Sequence, residues 1–203
     1  MYEPRPIVIP LADPAPAEIL PLSLVKEFIG LDPSLDADQD AVLPVLRRAA
    51  QDEGEQITGI VWGAAPYRID GLRPLSPGWT FRLPLCPVTS VSAVSCMDDG
   101  AETALDADAY VFTPALIQLG RPWAELCPEP EWPQGAESVS VTCTAGWTAQ
   151  TLPESIRAWM LARIATLYDI RQDMMAGMNP AAMPRDHTRA LLDRWTVRES
   201  AYA

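Results

Sequence analysis

The chain has 203 residues, enough for one ordinary domain or one domain carrying a sizeable insertion. Hydrophobic residues make up 48% and charged residues 21%, a globular composition that can bury a core and is far from that of a disordered chain. Fourteen arginines and a single lysine, Lys26, stand against 27 acidic residues; the resulting net charge of −12 lacks the clustered cationic footprint with which proteins grip nucleic-acid phosphates.

Residues 1–21 carry six prolines between short apolar pieces such as Ile7-Val8-Ile9, and read as an extended arm, because proline fixes φ and removes a donor. A short helix is expected near 22–30, with Leu24, Val25, Phe28 and Ile29 at helical spacing, Ser23 as cap and Gly30 as its end. An acidic stretch, Asp32 to Asp40, leads to a second helix near 40–57, whose apolar stripe is Val42, Leu43, Leu46, Ala49, Ala50, Glu53 and Ile57, ending near Thr58-Gly59. Pro44 implies a late start with Asp40 as cap, or a kink.

From about 60 to 147 the period changes to two. Phe81, Leu83 and Leu85 alternate with Arg82 and Pro84, and Val88 to Met97 forms a strand that stops at the hairpin signal Asp98-Asp99-Gly100. The inward face of that strand is ambiguous, since Val88, Val94 and Cys96 share one parity while Val91 and Ala93 share the other. Val139, Val141, Cys143 and Ala145 make a cleaner strand, with Ser138, Ser140, Thr142 and Thr144 facing out. Shorter strands are expected at Tyr110–Phe112 and Leu116–Leu119, followed by a loop holding Pro122, Pro128, Pro130 and Pro133. Helix returns near 153–172, opened by Pro153 and striped by Ile156, Trp159, Met160, Ile164, Leu167 and Tyr168. After the Met-rich segment 174–180 a last helix is expected near 184–198, carrying Leu191, Leu192 and Trp195. The fold class is therefore α+β: a small helical bundle with an inserted antiparallel β subdomain at about 60–147.

No apolar stretch approaches the ~20 residues of a bilayer span, and Met1-Tyr2-Glu3-Pro4 is unlike a secretory signal, so a soluble chain made in the cytoplasm, away from membranes, is expected. Cys86, Cys96, Cys127 and Cys143 form no Cys-x-x-Cys pair and have one histidine, His187, to join them. That spacing argues against a zinc site, and buried free thiols are expected in place of disulfides. Asp36-x-Asp38-x-Asp40 opens like a calcium loop, but the sixth and twelfth positions are Ala41 and Arg47, where glycine and glutamate are required. His187 beside Asp186 lacks a Gly-x-Ser-x-Gly turn to complete a triad. Glu125, Glu129 and Glu131, near Trp123 and Trp132, sit on a loop with nothing to fix the separation that a glycosidase pair requires. No Walker loop and no Gly-x-Gly-x-x-Gly occurs. The reading is of a non-enzymatic chain without catalytic residues, metal or cofactor.

The order of the pieces resembles the head-to-tail connector (adaptor) family of tailed bacteriophages and gene transfer agents. The resemblance runs over about 22–172. It is carried by Leu24 to Gly30, Ala41 to Gly59, Leu83-Pro84-Leu85-Cys86-Pro87-Val88-Thr89-Ser90-Val91, Asp98-Asp99-Gly100 followed by Tyr110-Val111, Val139 to Trp147, Leu152-Pro153-Glu154-Ser155-Ile156, and Leu167 to Arg171. Pro44, the long loop 113–137 and the proline arm depart from the family pattern. The resemblance implies a virion protein at the head–tail junction, assembled in the host cytoplasm. It implies a ring, commonly of twelve copies, that joins the portal to stopper or tail proteins and surrounds a channel through which DNA passes without specific binding. On this reading 1–21 is an arm, 22–172 the connector domain, and 173–203 a Met-rich segment and helix that docks on the portal through Leu191, Leu192 and Trp195. Arg121, Trp123 and Trp132 are the expected contacts to neighbouring subunits or the tail. The competing readings are a monomeric module binding peptide or glycan through its β part, and a small enzyme with a cleft around His187.

Overall fold

A computed structural model of the chain describes residues 6–12, 19–31, 41–73, 80–129, 136–175 and 188–197, with backbone alone for 171–175. It divides into two compact units, a β unit (Met1–Pro14 and Gly63–Gly146) and a helical unit (Ala15–Trp62 and Trp147–Ala203). The mixture of helices and antiparallel sheets is the expected α+β class.

The β unit holds two sheets. Strands β1 (Ile7–Pro10), β2 (Ala65–Leu72), β4 (Val88–Asp98), β5 (Ala101–Ala104) and β8 (Ser138–Ala145) form a five-stranded sheet in the order β1-β2-β8-β4-β5. Strands β3 (Phe81–Arg82), β6 (Tyr110–Thr113) and β7 (Glu125–Pro128) form a three-stranded sheet in the order β3-β7-β6. All pairings are antiparallel.

Central β8 alternates as expected: Val139, Val141, Cys143 and Ala145 are buried, and the intervening Ser and Thr residues are half-buried on the other face. Its partner β4 resolves its own ambiguity with two bulges, one between Val88 and Ser90 and one between Val91 and Ala93. Each inserted residue shifts the parity, so Val88, Val91, Val94 and Cys96 stand opposite Ala145, Cys143, Val141 and Val139, sharing one face. The bulge residues secure themselves: Thr89 Oγ1 donates to Thr144 O at 3.2 Å and Ser92 Oγ to Thr142 O at 3.1 Å. The turn after β4 pairs Asp98 with Ala101, and Asp99 and Gly100 take φ of 49° and 78°, the two left-handed positions that the Asp-Gly signal implies.

Several expectations in this unit need correction. Leu116–Leu119 is not a strand. Ile117–Leu119 is a 3-10 turn, because Leu116 and Arg121 pair with each other across it through bonds of 2.7 and 3.1 Å. The Phe81–Leu85 strand lasts two residues, after which Leu83 N–H bonds to Ala124 O and Pro84 offers no donor. The Pro-rich loop contains β7, whose Leu126 and Pro128 are buried; Pro122 precedes the strand by three residues and Pro128 is its last residue, so neither interrupts it. Within the proline arm, Ile7–Pro10 is an edge strand, one of the positions in a sheet where prolines are tolerated.

The helical unit contains α1 (Leu22–Phe28), α2 (Leu43–Thr58), α3 (Glu154–Met175) and the short α4 (Ala190–Asp193). Pro21 stands at the N-cap of α1, so Ser23 lies inside the first turn and is not the cap. α2 starts late, with Pro44 in its first turn and Val42 at the cap; Asp40 lies outside the described residues. Its buried stripe is rotated from the expected one. Leu43, Arg47, Ala50, Gln51, Gly54 and Thr58 face the core, whereas Ala49 is exposed and Leu46 and Ile57 are half-buried.

Trp62 explains the rotation. Its fully buried ring lies against Gly54, where any Cβ would collide with it, and meets Trp159 of α3 edge-to-face at 5.7 Å. Its indole donates to Thr58 Oγ1 at 3.2 Å, and its backbone N–H donates to Glu55 Oε1 at 2.8 Å. Most of the polar stripe finds partners nearby: Gln51 Nε2 donates to Glu55 Oε1 at 2.9 Å, Thr58 Oγ1 to Gly54 O at 2.7 Å and Arg47 Nη1 to Leu20 O at 2.8 Å, while Gln51 Oε1 is buried with no hydrogen-bond partner among the described residues. α3 buries Ile156, Trp159, Met160, Ile164 and Tyr168 as expected, leaving Leu167 half-buried. α4 is shorter than the expected 184–198 helix. By Val197 its backbone N–H has turned to Thr58 O at 2.8 Å, while residues 184–187 and 198 lie outside the described residues.

Candidate assembly surfaces

Among the described residues no group of three or more His, Cys, Asp or Glu side chains is placed to hold a metal, and no helix is long and apolar enough to cross a membrane. Cys86, Cys96 and Cys143 are buried free thiols, and Cys127 is a half-buried one. Burial pushes the Cys86 thiol up to about 12 and the Cys143 thiol up to about 11, and raises Cys96 as well, so these three are poor nucleophiles near neutral pH. Glu125, weighed above as a carboxylate of a glycosidase pair, lies between two arginines. Arg121 Nη2 stands 3.3 Å from one of its oxygens and Arg82 Nε 3.9 Å from the other. Glu131, Trp132, Asp186 and His187 lie outside the described residues.

What the molecule presents is surface. In the helical unit the three C-terminal candidates separate. Leu192 is fully buried, and Trp195 is buried with its indole donating to Ser155 Oγ at 2.7 Å and its ring edge-to-face with Trp147 at 5.5 Å. Leu191 alone of the three is exposed, as are Phe28 on α1 and Val45 on α2. The single lysine is buried, which removes it from any role in gripping phosphate.

In the β unit Arg121 is exposed at the base of the 3-10 turn and Trp123 is half-buried beside it. Leu119 at the crest of that turn is 74% exposed, with Leu116 and Val111 also exposed. The sequence reading did not single out these three as surface residues, because apolar side chains in a strand-like run read as core. On β1 and just after it, Ile7, Ile9 and Leu11 are exposed too; only the alternation of Ile7-Val8-Ile9 on an edge would have signalled it.

A charged network crosses the five-stranded sheet on the face opposite its buried side chains. Arg68 Nε on β2 lies 2.7 Å from Asp70, and its Nη2 reaches Glu102 on β5 at 2.9 Å, where Ser95 Oγ also donates at 2.6 Å. Desolvation raises the Asp70 carboxyl, but hydrogen bonds from Ser140 and Arg68 more than offset it and hold the group below its ordinary range. The Ser95 hydroxyl, followed by the Arg68 charge, does the same for Glu102. In contrast, Asp98, Asp99, Asp106, Asp108, Glu129 and Glu137 have no ion-pair partner among the described residues, so this stretch of the unit is strongly acidic.

Three solved structures share this architecture across nearly the whole chain. A chain in the virion of a native gene transfer agent particle is 26% identical with a TM-score of 0.67, covering 95% of this chain and 96% of that one. A chain in the neck of a native gene transfer agent particle computed with C12 symmetry is 25% identical with a TM-score of 0.64, over the same shares. This chain has the fold of gene transfer agent neck proteins. A chain in the neck of an empty gene transfer agent particle computed with C6 symmetry repeats the neck fold at a TM-score of 0.69 and 22% identity, again covering 95% and 96%. Comparison with protein-family models and with curated proteins finds no match. The connector resemblance carried by the order of weak motifs is thereby shown at the level of the fold.

Proposed function

We propose that this chain is a structural virion protein of the particle neck. It forms a ring, of twelve copies, that joins the portal to stopper or tail proteins and surrounds the path of the DNA. The observation that carries this reading is the match of 95% of the chain to 96% of neck and virion chains. A partial match would leave room for a shared module in an unrelated protein; a match over nearly all of both chains leaves little room for one. In this proposal residues 22–172 form the connector body and 173–203 the portal-docking segment. Exposed Leu191 makes the contact, while buried Leu192 and Trp195 seat α4 in its own unit. Arg121, Trp123 and Trp132 meet a neighbouring subunit or the tail.

The charge fits the role. A net charge of −12, a buried lysine, and exposed Arg48, Arg82 and Arg121 each beside a carboxylate suit a channel wall past which phosphates slide. Three raised thiols and a carboxylate held between arginines leave these groups to structure, not turnover. Removing the chain from its producing cell tests the reading. Filled heads and separate tails are expected to accumulate unjoined, and a normal yield of joined particles would overturn it.

A further inference from the structure

The β unit is one continuous stretch, Gly63–Gly146, except for a single strand, β1, which comes from elsewhere in the sequence. That strand relates to the sheet as a bound peptide relates to the edge it extends. It pairs Ile7, Val8, Ile9 and Pro10 with Asp70, Ile69, Arg68 and Tyr67, and Leu11 N–H donates to Pro66 O at 2.9 Å. None of residues 6–12 is buried, and Ile7, Ile9 and Leu11 are 63%, 40% and 52% exposed. The strand is held through its main chain, and a main-chain ladder has the same partners whichever copy supplies the strand.

We propose that in the assembled ring β1 of each copy leaves its own β2 and adds to the β2 edge of the next. This rests on the ring reading above. Strand and acceptor edge are two different surfaces of one chain, so each copy donates once and accepts once. That is the head-to-tail arrangement which closes into a ring. The edge also limits itself. The Leu11 bond places residues 7, 9 and 11 at the positions that pair with β2, so 6, 8 and 10 turn their backbone outward. Pro6 and Pro10 have no N–H to offer there, so no further strand extends the sheet beyond β1. Residues 13–18 connect β1 to Ile19 and Leu20, both buried in the helical unit; the steps from Ala12 to Ile19 can span up to roughly 25 Å. In a dilute subunit the chain's own strand wins, while in a ring the neighbour's strand competes at high effective concentration.

Cysteines at facing positions distinguish the two states. Val8 and Ile69 form a non-hydrogen-bonded pair, whose Cα separation of about 4.5 Å suits a disulfide. In a Cys127→Ser background, the Val8→Cys/Ile69→Cys chain is oxidised as free subunit and again after assembly with portal. Intramolecular bonds, migrating as monomer, are expected from the free subunit, and a ladder of covalent multimers from the assembly. Rings built from a mixture of Val8→Cys chains and Ile69→Cys chains should yield covalent dimers. The Ile7→Cys/Asp70→Cys pair, on the outward face, repeats the test where burial of Ile69 makes the first variant unstable. Monomer alone from well-formed rings overturns strand exchange and leaves the ring reading intact. Failure of the unmodified chain to form any ring with portal overturns both.

Discussion

The β unit and the helical unit reveal their buried faces in different ways. In β8 the side-chain period settles the matter: alternate residues are buried without exception from Ser138 to Ala145. In α2 the hydrophobic pattern pointed to a stripe of which Leu43 and Ala50 are buried, but Leu46, Ala49 and Ile57 are not, and Arg47, Gln51, Gly54 and Thr58 complete the buried face instead. The difference lies in the partner. A strand inside a sheet meets other strands whose pleat enforces the same alternation. A helix can rotate to receive one large side chain, and here Trp62 selects the stripe that has a glycine for its ring and a hydroxyl for its indole.

That contrast can be broken by substitution. Trp62→Ala should cost the helical unit about 3–5 kcal/mol, the usual range for emptying a tryptophan site. Hydrogen exchange should show the loss in α2 and α3 while β8 keeps its protection. An equal loss in both units would mean that the two do not fold as separate bodies. In the β unit the matching test is Gly146→Ala. Gly146 takes φ of 93° and its missing Cβ would meet the Gly63 carbonyl, so a cost of about 2–3 kcal/mol is expected by denaturant titration. Thr58→Val sharpens the account of α2. It removes the acceptor for the Trp62 indole and should cost about 1–2 kcal/mol, whereas Val45→Thr on the exposed side should change stability by less than about 0.5 kcal/mol.

Smaller effects separate the units chemically. All four cysteines lie in the β unit; Cys127 is half-buried, whereas the other three are buried with thiols raised by that burial. A disulfide reagent at pH 8 should therefore modify about one thiol per folded chain and four after unfolding. Asp70 and Glu102 titrate below their unfolded values, so their contribution is complete above the ordinary carboxylate range and fades as pH falls through the lower folded values. The denaturation midpoint of the β unit should fall slightly as pH drops from 6 to 3, and Asp70→Asn should flatten that slope.

Much of this architecture was legible in the sequence because it depends on local rules. Asp99-Gly100 marks a two-residue hairpin, Gly59 ends α2 where the stripe runs out, and Pro153 opens α3. The rest depends on long-range pairing. β7 was hidden because Pro122 and Pro128 read as loop, although Pro122 lies ahead of the strand and Pro128 is its last residue. Leu116–Leu119 looked like a strand because nothing local reveals that Leu116 and Arg121 close on each other. The β4 faces required two bulges that only the register with β8 exposes. For the candidate surfaces, residue type misled: Leu192 and Trp195 have the character of docking anchors and are consumed by the core, whereas Leu119 and Ile7 have the character of core and stand in solvent.

Native mass measurement of the full chain mixed with portal tests the central claim most directly. The account predicts a single closed assembly of portal and this chain with a fixed copy number, twelve for the ring, even where the chain alone runs as a monomer. A chain that stays monomeric and unbound beside an intact portal would contradict it.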